Sequence, residues 1–177
     1  MQALVYTNTQ TLVYREEQNP TEKPGESILK IQASGICGSD MHAYHGHDER
    51  RVPPLILCHE VSGIIQNGKF KDKVVVLNPL ITCGNCEYCK QGREHLCPER
   101  SILGMSKPIK REGGLAEYVS IPDKNIFEIV NQKVMQSKFM EQAFVLGLNS
   151  YINNPSLKIL NQLIDWFEFE DNPNFPK

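Results

Sequence analysis

The sequence predicts a mainly β protein, built as a barrel or sandwich and followed by a helical extension. Up to residue 130, short β-branched or alternating apolar runs are separated by turn pairs such as Asn67-Gly68 and Gly113-Gly114. Many short strands with frequent glycine and proline favour such a fold over alternating strand and helix units. Beyond residue 131 the composition changes, because eleven of the twelve glycines lie before it and five of the seven phenylalanines lie after it.

The elements follow from these runs in chain order. A short helix is expected to start at Ser39, whose hydroxyl is a good N-cap group. Beyond the strands, one helix is expected at 133–148, and a second follows the start signal Pro155-Ser156. The seven expected strands lie at 3–6, 11–14, 27–33, 61–65, 74–77, 115–120 and 126–129.

The second helix carries an apolar stripe on one face. This stripe is expected to pack against the barrel or against a partner, and a second chain could dock there. We therefore expect a domain at residues 1–130 and a divergent helical tail at residues 131–177. The stripe consists of Leu157, Leu160, Leu163, Ile164 and Phe167.

Composition narrows the function classes. A length of 177 residues allows one domain, or one domain with an extension. A formal charge of −2 gives no electrostatic reason to expect nucleic acid or an anionic membrane as partner. No apolar run approaches the ~20 residues of a membrane span, and the first residues do not resemble a secretory signal. We expect a cytoplasmic protein with reduced thiols.

Four cysteines within fifteen residues form the pattern Cys83-x2-Cys86-x2-Cys89-x7-Cys97. Thiolates this close can converge on one tetrahedral zinc ion at about 2.3 Å, and the turn formers between them allow the backbone to fold around an ion. A pair of disulfides is disfavoured without a secretory signal, and the seven-residue gap does not fit a ferredoxin cluster. The pattern predicts a structural zinc site.

A second group of metal-binding residue types lies upstream. Cys37, His59 and Glu60 offer a thiolate, an imidazole and a carboxylate, a mixture suited to zinc. Catalytic zinc keeps three protein ligands and one open position. Asp40 could accept the second ring N–H of His59 and fix its tautomer.

Two further residues beside this group can move protons. Ser39 and His42 could pass a proton from a bound alcohol towards solvent. His45, His47 and His95 are expected to be packing or surface residues.

These motifs together resemble a known family. Residues 35–42 (GICGSDMH), residues 58–63 (CHEVSG), the four-cysteine lobe and residues 113–119 (GGLAEYV) resemble the amino-terminal half of the zinc-dependent medium-chain alcohol and polyol dehydrogenases. The resemblance covers roughly residues 1–130 and implies a GroES-like barrel carrying a zinc-binding lobe. It also implies an oxidoreductase acting on CH–OH groups of a small alcohol or sugar alcohol with NAD(P).

The resemblance also implies the role of each site residue. Cys37, His59 and Glu60 would bind the catalytic zinc, and Ser39 and His42 would form the proton relay. Asp40 would contact the ligands without binding the metal itself. Glu141 would match a further acidic residue near the metal, although Gln142 stands where the family has proline. A second departure is Cys58, which stands where the family has glycine and could crowd the metal or compete as a ligand.

The nucleotide-binding half of the family is not expected in this chain. No G-x-G-x-x-G follows a strand, so we expect two zinc ions but no cofactor-binding residues and no Rossmann domain. The chain is then the zinc-binding catalytic half of a dehydrogenase, a truncated member that is inactive alone. The alternative is a non-catalytic zinc-stabilised barrel, either a binding module or the product of a disrupted gene.

Overall fold

Antiparallel strands dominate the described part of the chain, which is residues 1–129 of a computed structural model. Short helical segments interrupt them: α1 at Gly38–Tyr44, α2 at Glu87–Lys90, and 3₁₀ turns at Gly68–Phe70, Glu94–Leu96 and Asp123–Asn125. The strands are β1 Gln2–Asn8, β2 Thr11–Glu16, β3 Glu26–Gly35, β4 Leu55–Ile56, β5 Glu60–Ile65, β6 Val74–Leu77, β7 Leu80–Ile81, β8 Ser101–Ile102, β9 Tyr118–Pro122 and β10 Ile126–Glu128.

The strands form three sheets. The largest has the order β10-β6-β5-β3-β9, a second has the order β2-β1-β4, and β7 pairs with β8 in a ribbon. A bridge between Ala3 and Ala116 connects β1 to the segment before β9, and the Leu4 N–H donates to the Leu115 carbonyl at 2.8 Å. One apolar core lies between the two larger sheets, with Tyr6, Leu29, Leu57 and Ile121 at most 2% exposed.

The mainly β character is confirmed, and a strand lies in each of the seven expected runs. Three two-residue strands, β4, β7 and β8, were not expected. The expected run 115–120 pairs as a strand only from Tyr118, because Ala116 makes an isolated bridge instead.

The structure places the helix start one residue earlier than predicted and the N-cap two residues earlier, at Cys37 instead of Ser39. Helix α1 begins at Gly38, and Cys37 is its N-cap in an extended conformation (φ −94°, ψ 153°). Asp40 supplies the capping carboxylate, since its Oδ2 accepts the Cys37 N–H at 3.0 Å. Ser39 therefore lies in the first turn, and Asp40 at the third helical position makes the reciprocal capping contact to the backbone of the N-cap residue.

Several predictions lie outside the described residues: the two tail helices, the apolar stripe of the second helix, and Glu141. Within residues 1–129, the helices are all too short to cross a membrane.

Candidate metal centres

The four cysteines of the lobe come together in the structure. The Cys97 and Cys83 sulfurs lie 3.6 Å apart, and the Cys83 and Cys89 sulfurs lie 3.9 Å apart. Four ligands at about 2.3 Å around a tetrahedral zinc ion are separated by about 3.8 Å, whereas a disulfide needs about 2.05 Å. All four thiols are free and converge within 4.8 Å of one another. The donor set and spacing fit zinc.

Backbone amides around the lobe favour the thiolate form. The Cys86 N–H donates to the Cys83 sulfur at 3.4 Å, and the Cys83 N–H donates to the Cys97 sulfur at 3.5 Å. Backbone hydrogen bonds from Asn85 and Cys86 lower the pKa of Cys83 to about 7. A thiolate near neutral pH is the form that binds metal.

The lobe is fixed to the domain at its base. The ribbon of β7 and β8 pairs Ile81 with Ser101, and the Asn125 side-chain amide donates to the Asn78 and Leu80 carbonyls at 2.8 and 2.7 Å. These contacts hold the two ends of the cysteine segment together.

The second candidate centre lies where β3 ends and β5 begins. These strands are antiparallel, and Gly35 pairs with Glu60 at the last position of their register. Cys37 follows Gly35 by two residues and His59 precedes Glu60 by one, so all three donors reach the same end of the sheet. Their donor atoms lie within 4.8 Å of one another. Cys37 and His59 are half-buried and Glu60 is exposed, which leaves one side of the group accessible.

A glycine makes room for Glu60 in this group. A Cβ at position 35 would lie 2.3 Å from Glu60 Oε2 and 3.1 Å from Glu60 Cβ. The Glu60 carboxylate therefore occupies the space that the absence of a side chain at Gly35 leaves open.

We predict that Gly35→Ala weakens metal binding at this centre by about 10-fold, the lower end of the range for displaced supporting contacts. The carboxylate is the end of a flexible side chain, so it can move away at little cost to folding. Gly38→Ala is the matched control, because a Cβ there meets nothing within 4 Å. Competition with a coloured chelator measures both affinities, and equal values for the two variants would contradict the prediction.

Asp40 joins the two loops that carry the donors. Its carboxylate is fully buried and accepts the Cys37 N–H at 3.0 Å and the Cys58 N–H at 3.1 Å. His59 Nδ1 is buried without a hydrogen-bond partner in the described structure and lies 3.8 Å from Asp40 Oδ1. This distance exceeds that of a hydrogen bond, so the contact of Asp40 with the imidazole stays a prediction.

Ser39 and His42 lie three residues apart on α1, a spacing that places them on the same face of a helix. His42 is exposed, and its ring centroid is 6.2 Å from that of His47. Ser39 Oγ accepts a hydrogen bond from Arg51 Nη2 at 3.2 Å. The relay of Ser39 and His42 stays a prediction.

The Cys58 sulfur is not among the donor atoms that converge at the second candidate centre. The thiol is fully buried and donates to the Gly35 carbonyl at 3.1 Å. Burial and, after it, the charge of Asp40 raise the pKa of this thiol, which disfavours the ligand form. The backbone at Cys58 has φ +80°, a left-handed conformation that favours glycine, and this explains why glycine is expected there.

Sequence reasoning missed Arg51. Its guanidinium is buried and contacts Ser39, Asp48 and the Gly104 carbonyl. The run Asp48-Glu49-Arg50-Arg51 has the pattern of a solvated charged turn, and no periodicity distinguishes the buried arginine from the exposed one.

Three comparisons place this geometry among known proteins. The chain is 30% identical over 156 residues to the starvation-sensing protein RspB of Escherichia coli, covering 84% of this chain and 44% of that protein. It is 32% identical over 160 residues to the sorbitol dehydrogenase of Bacillus subtilis, covering 85% of this chain and 44% of that enzyme. The chain thus spans less than half the length of these relatives.

A solved structure has the same fold. A putative zinc-binding dehydrogenase from Sinorhizobium meliloti, bound to NADP, superposes with a TM-score of 0.64 at 33% identity, covering 74% of this chain and 39% of that one. The alcohol dehydrogenase GroES-like domain matches residues 23–131, more than half of the chain. The expected GroES-like fold is confirmed, and the chain belongs to the alcohol dehydrogenase GroES-like domain family.

Proposed function

We propose that this chain is the zinc-binding catalytic half of an NAD(P)-dependent alcohol or polyol dehydrogenase. The observation that carries the proposal is the convergence of Cys37, His59 and Glu60 within 4.8 Å at an accessible end of the sheet. The second group of four thiols acts as a structural zinc site. Free thiols suit a reducing compartment, and we propose the cytoplasm.

The residues divide the chemistry between them. Zinc bound by Cys37, His59 and Glu60 would supply Lewis-acid polarisation of an alcohol oxygen, and an NAD(P) cofactor bound outside the described residues would accept the hydride. Ser39 Oγ would accept the proton released by the alcohol while its own hydroxyl proton moves on towards His42, which is exposed on the same helix face and would release a proton to solvent. Asp40 fixes the backbone of both loops that carry the ligands. The substrate class is a small alcohol or sugar alcohol.

Hydride transfer requires a nucleotide-binding half in addition to the described residues. The sequence offers no G-x-G-x-x-G after a strand, and relatives of this chain are more than twice the length that it matches. We therefore expect the purified 177-residue chain to bind zinc without oxidising sorbitol or ethanol in the presence of NAD⁺ or NADP⁺.

Elemental analysis tests the metal assignment. The two convergent groups predict two zinc ions per chain, and His59→Gln is expected to retain one of them. His47→Gln is the matched control, since His47 is an exposed histidine outside both groups. A chain with a single zinc that His59→Gln leaves in place would show that the upstream centre does not bind metal.

The substrate assay completes the test. Formation of reduced nicotinamide by the purified chain alone would contradict the assignment of the chain as an incomplete half.

A further inference from the structure

Arg51 is a buried arginine beside the second candidate centre. Its side chain is 1% exposed, and that of Asp40 is fully buried. Among the described residues, these two are the charged side chains classed as buried. Burial of a charge is costly unless the charge is paired and hydrogen-bonded. The groups that compensate for the buried guanidinium are therefore informative about its role.

The guanidinium connects three separate segments. Nε donates to the Gly104 carbonyl at 3.0 Å, and Nη1 donates to the Ser39 carbonyl at 2.7 Å and to Asp48 Oδ2 at 3.0 Å. Nη2 donates to Ser39 Oγ at 3.2 Å and lies 3.9 Å from Asp40 Oδ1. Two carboxylates thus balance its charge, and each of its three nitrogens has a hydrogen-bond acceptor.

The neighbouring Arg50 shows what an ordinary surface arginine does here. It also binds Asp48, through Nε at 2.9 Å and Nη2 at 3.1 Å, but its side chain is 59% exposed. The two arginines share an acidic partner and adjacent positions. Arg51 alone of the pair reaches Ser39 and Asp40.

The contacts of Arg51 have two consequences for the second candidate metal centre, one through Ser39 and one through Asp40. Arginine has donors but no acceptor, so Ser39 Oγ is the acceptor in this contact and its own proton points elsewhere. The positive charge also lies beside the Asp40 carboxylate, which binds the backbone N–H groups of Cys37 and Cys58. The attraction between the buried guanidinium and this carboxylate helps to fix the carboxylate, and through it the backbone of both ligand loops.

We propose that Arg51 is a positioning residue for the metal centre: it orients Ser39 and holds the Asp40 carboxylate that fixes the Cys37 and His59 loops. This inference rests on the proposed function, since it assumes that Cys37, His59 and Glu60 bind a metal. Arg51 touches none of the donors. It acts through Ser39 and Asp40.

Cobalt binding tests the proposal without any enzyme assay. The chain carrying zinc in the four-cysteine lobe is titrated with Co²⁺, and the thiolate-to-cobalt absorption is followed; Cys37→Ser removes this absorption and so assigns it to the upstream centre. Arg51→Gln is expected to weaken Co²⁺ binding by about 10- to 100-fold, the range found for supporting residues. Arg50→Gln, the matched control, is expected to bind as the unsubstituted chain does.

A second variant keeps the test decisive if Arg51→Gln folds poorly. Arg51→Lys retains the charge but lacks the planar fork, so we expect a smaller weakening together with an altered cobalt spectrum. Unchanged affinity and spectrum in a folded Arg51→Lys or Arg51→Gln chain would overturn the proposal. If the unsubstituted chain itself shows no Cys37-dependent cobalt absorption, the proposed metal function fails instead, and the two failures are thereby distinguished.

Discussion

Replacing Cys97 with serine is expected to remove the structural zinc ion and unfold the lobe between Ile81 and Ser101. Cys97 is fully buried, and its sulfur contacts the Cys83 sulfur at 3.6 Å. Within residues 83–100 no other residue is classed as buried, so the lobe has no apolar core of its own. Structural zinc contributes about 10–16 kcal/mol of apparent binding free energy in small zinc-dependent folds, and here this term replaces the core.

Zinc content and protease sensitivity measure this effect. We expect Cys97→Ser to lose one zinc ion and to be cleaved within the lobe, while the five-stranded sheet stays resistant. His95→Gln is the control, because His95 is exposed inside the same lobe but lies outside the convergent thiols. A Cys97→Ser chain with its full zinc content and an uncut lobe would show that metal does not organise this segment.

Replacing Asp40 with alanine is expected to lower the free energy of unfolding by about 3–5 kcal/mol, the range for breaking a buried ion pair on one side. The substitution removes one of the two carboxylates beside the buried Arg51 charge, and it removes the acceptor of the Cys37 and Cys58 N–H groups. Asp40→Asn keeps an acceptor oxygen without the charge, so a smaller loss is expected.

Urea unfolding at equilibrium measures these differences. Glu99→Ala is the control, since Glu99 is exposed and surface substitutions usually change stability by less than about 0.5 kcal/mol. If Asp40→Ala unfolds at the same urea concentration as Glu99→Ala, the carboxylate does not stabilise the ligand loops as described.

The sequence was informative where a run of residues carried its own pattern. The β-branched apolar runs at 61–65 and 74–77 were enough to predict β5 and β6. The two-residue strands β4, β7 and β8 are too short to form such a run, and they pair only because distant segments meet. The spacing of the four cysteines identified the lobe because the constraint there is local.

The candidate site shows the same contrast between features with a local sequence pattern and features that depend on contacts between distant segments. Cys37, His59 and Glu60 were found from their chemistry, and the register that pairs Gly35 with Glu60 brings them together. The helix cap was misjudged because Cys37 holds the N-cap position expected for Ser39, and Asp40, three residues further on, accepts the Cys37 N–H. Arg51 was missed because burial of a charged side chain depends on partners from three segments, which no single stretch of sequence reveals.

The close approach of Glu60 to Gly35 makes the residue types allowed at position 35 depend on the residue at position 60. A Cβ at position 35 and the glutamate carboxylate at position 60 require the same volume, so position 35 can gain a side chain only if the residue at position 60 moves or becomes shorter. Among homologous chains, alanine or serine at the first position should accompany a shorter side chain at the second. Such paired replacements would mark lineages in which the proposed metal centre lacks the Glu60 carboxylate.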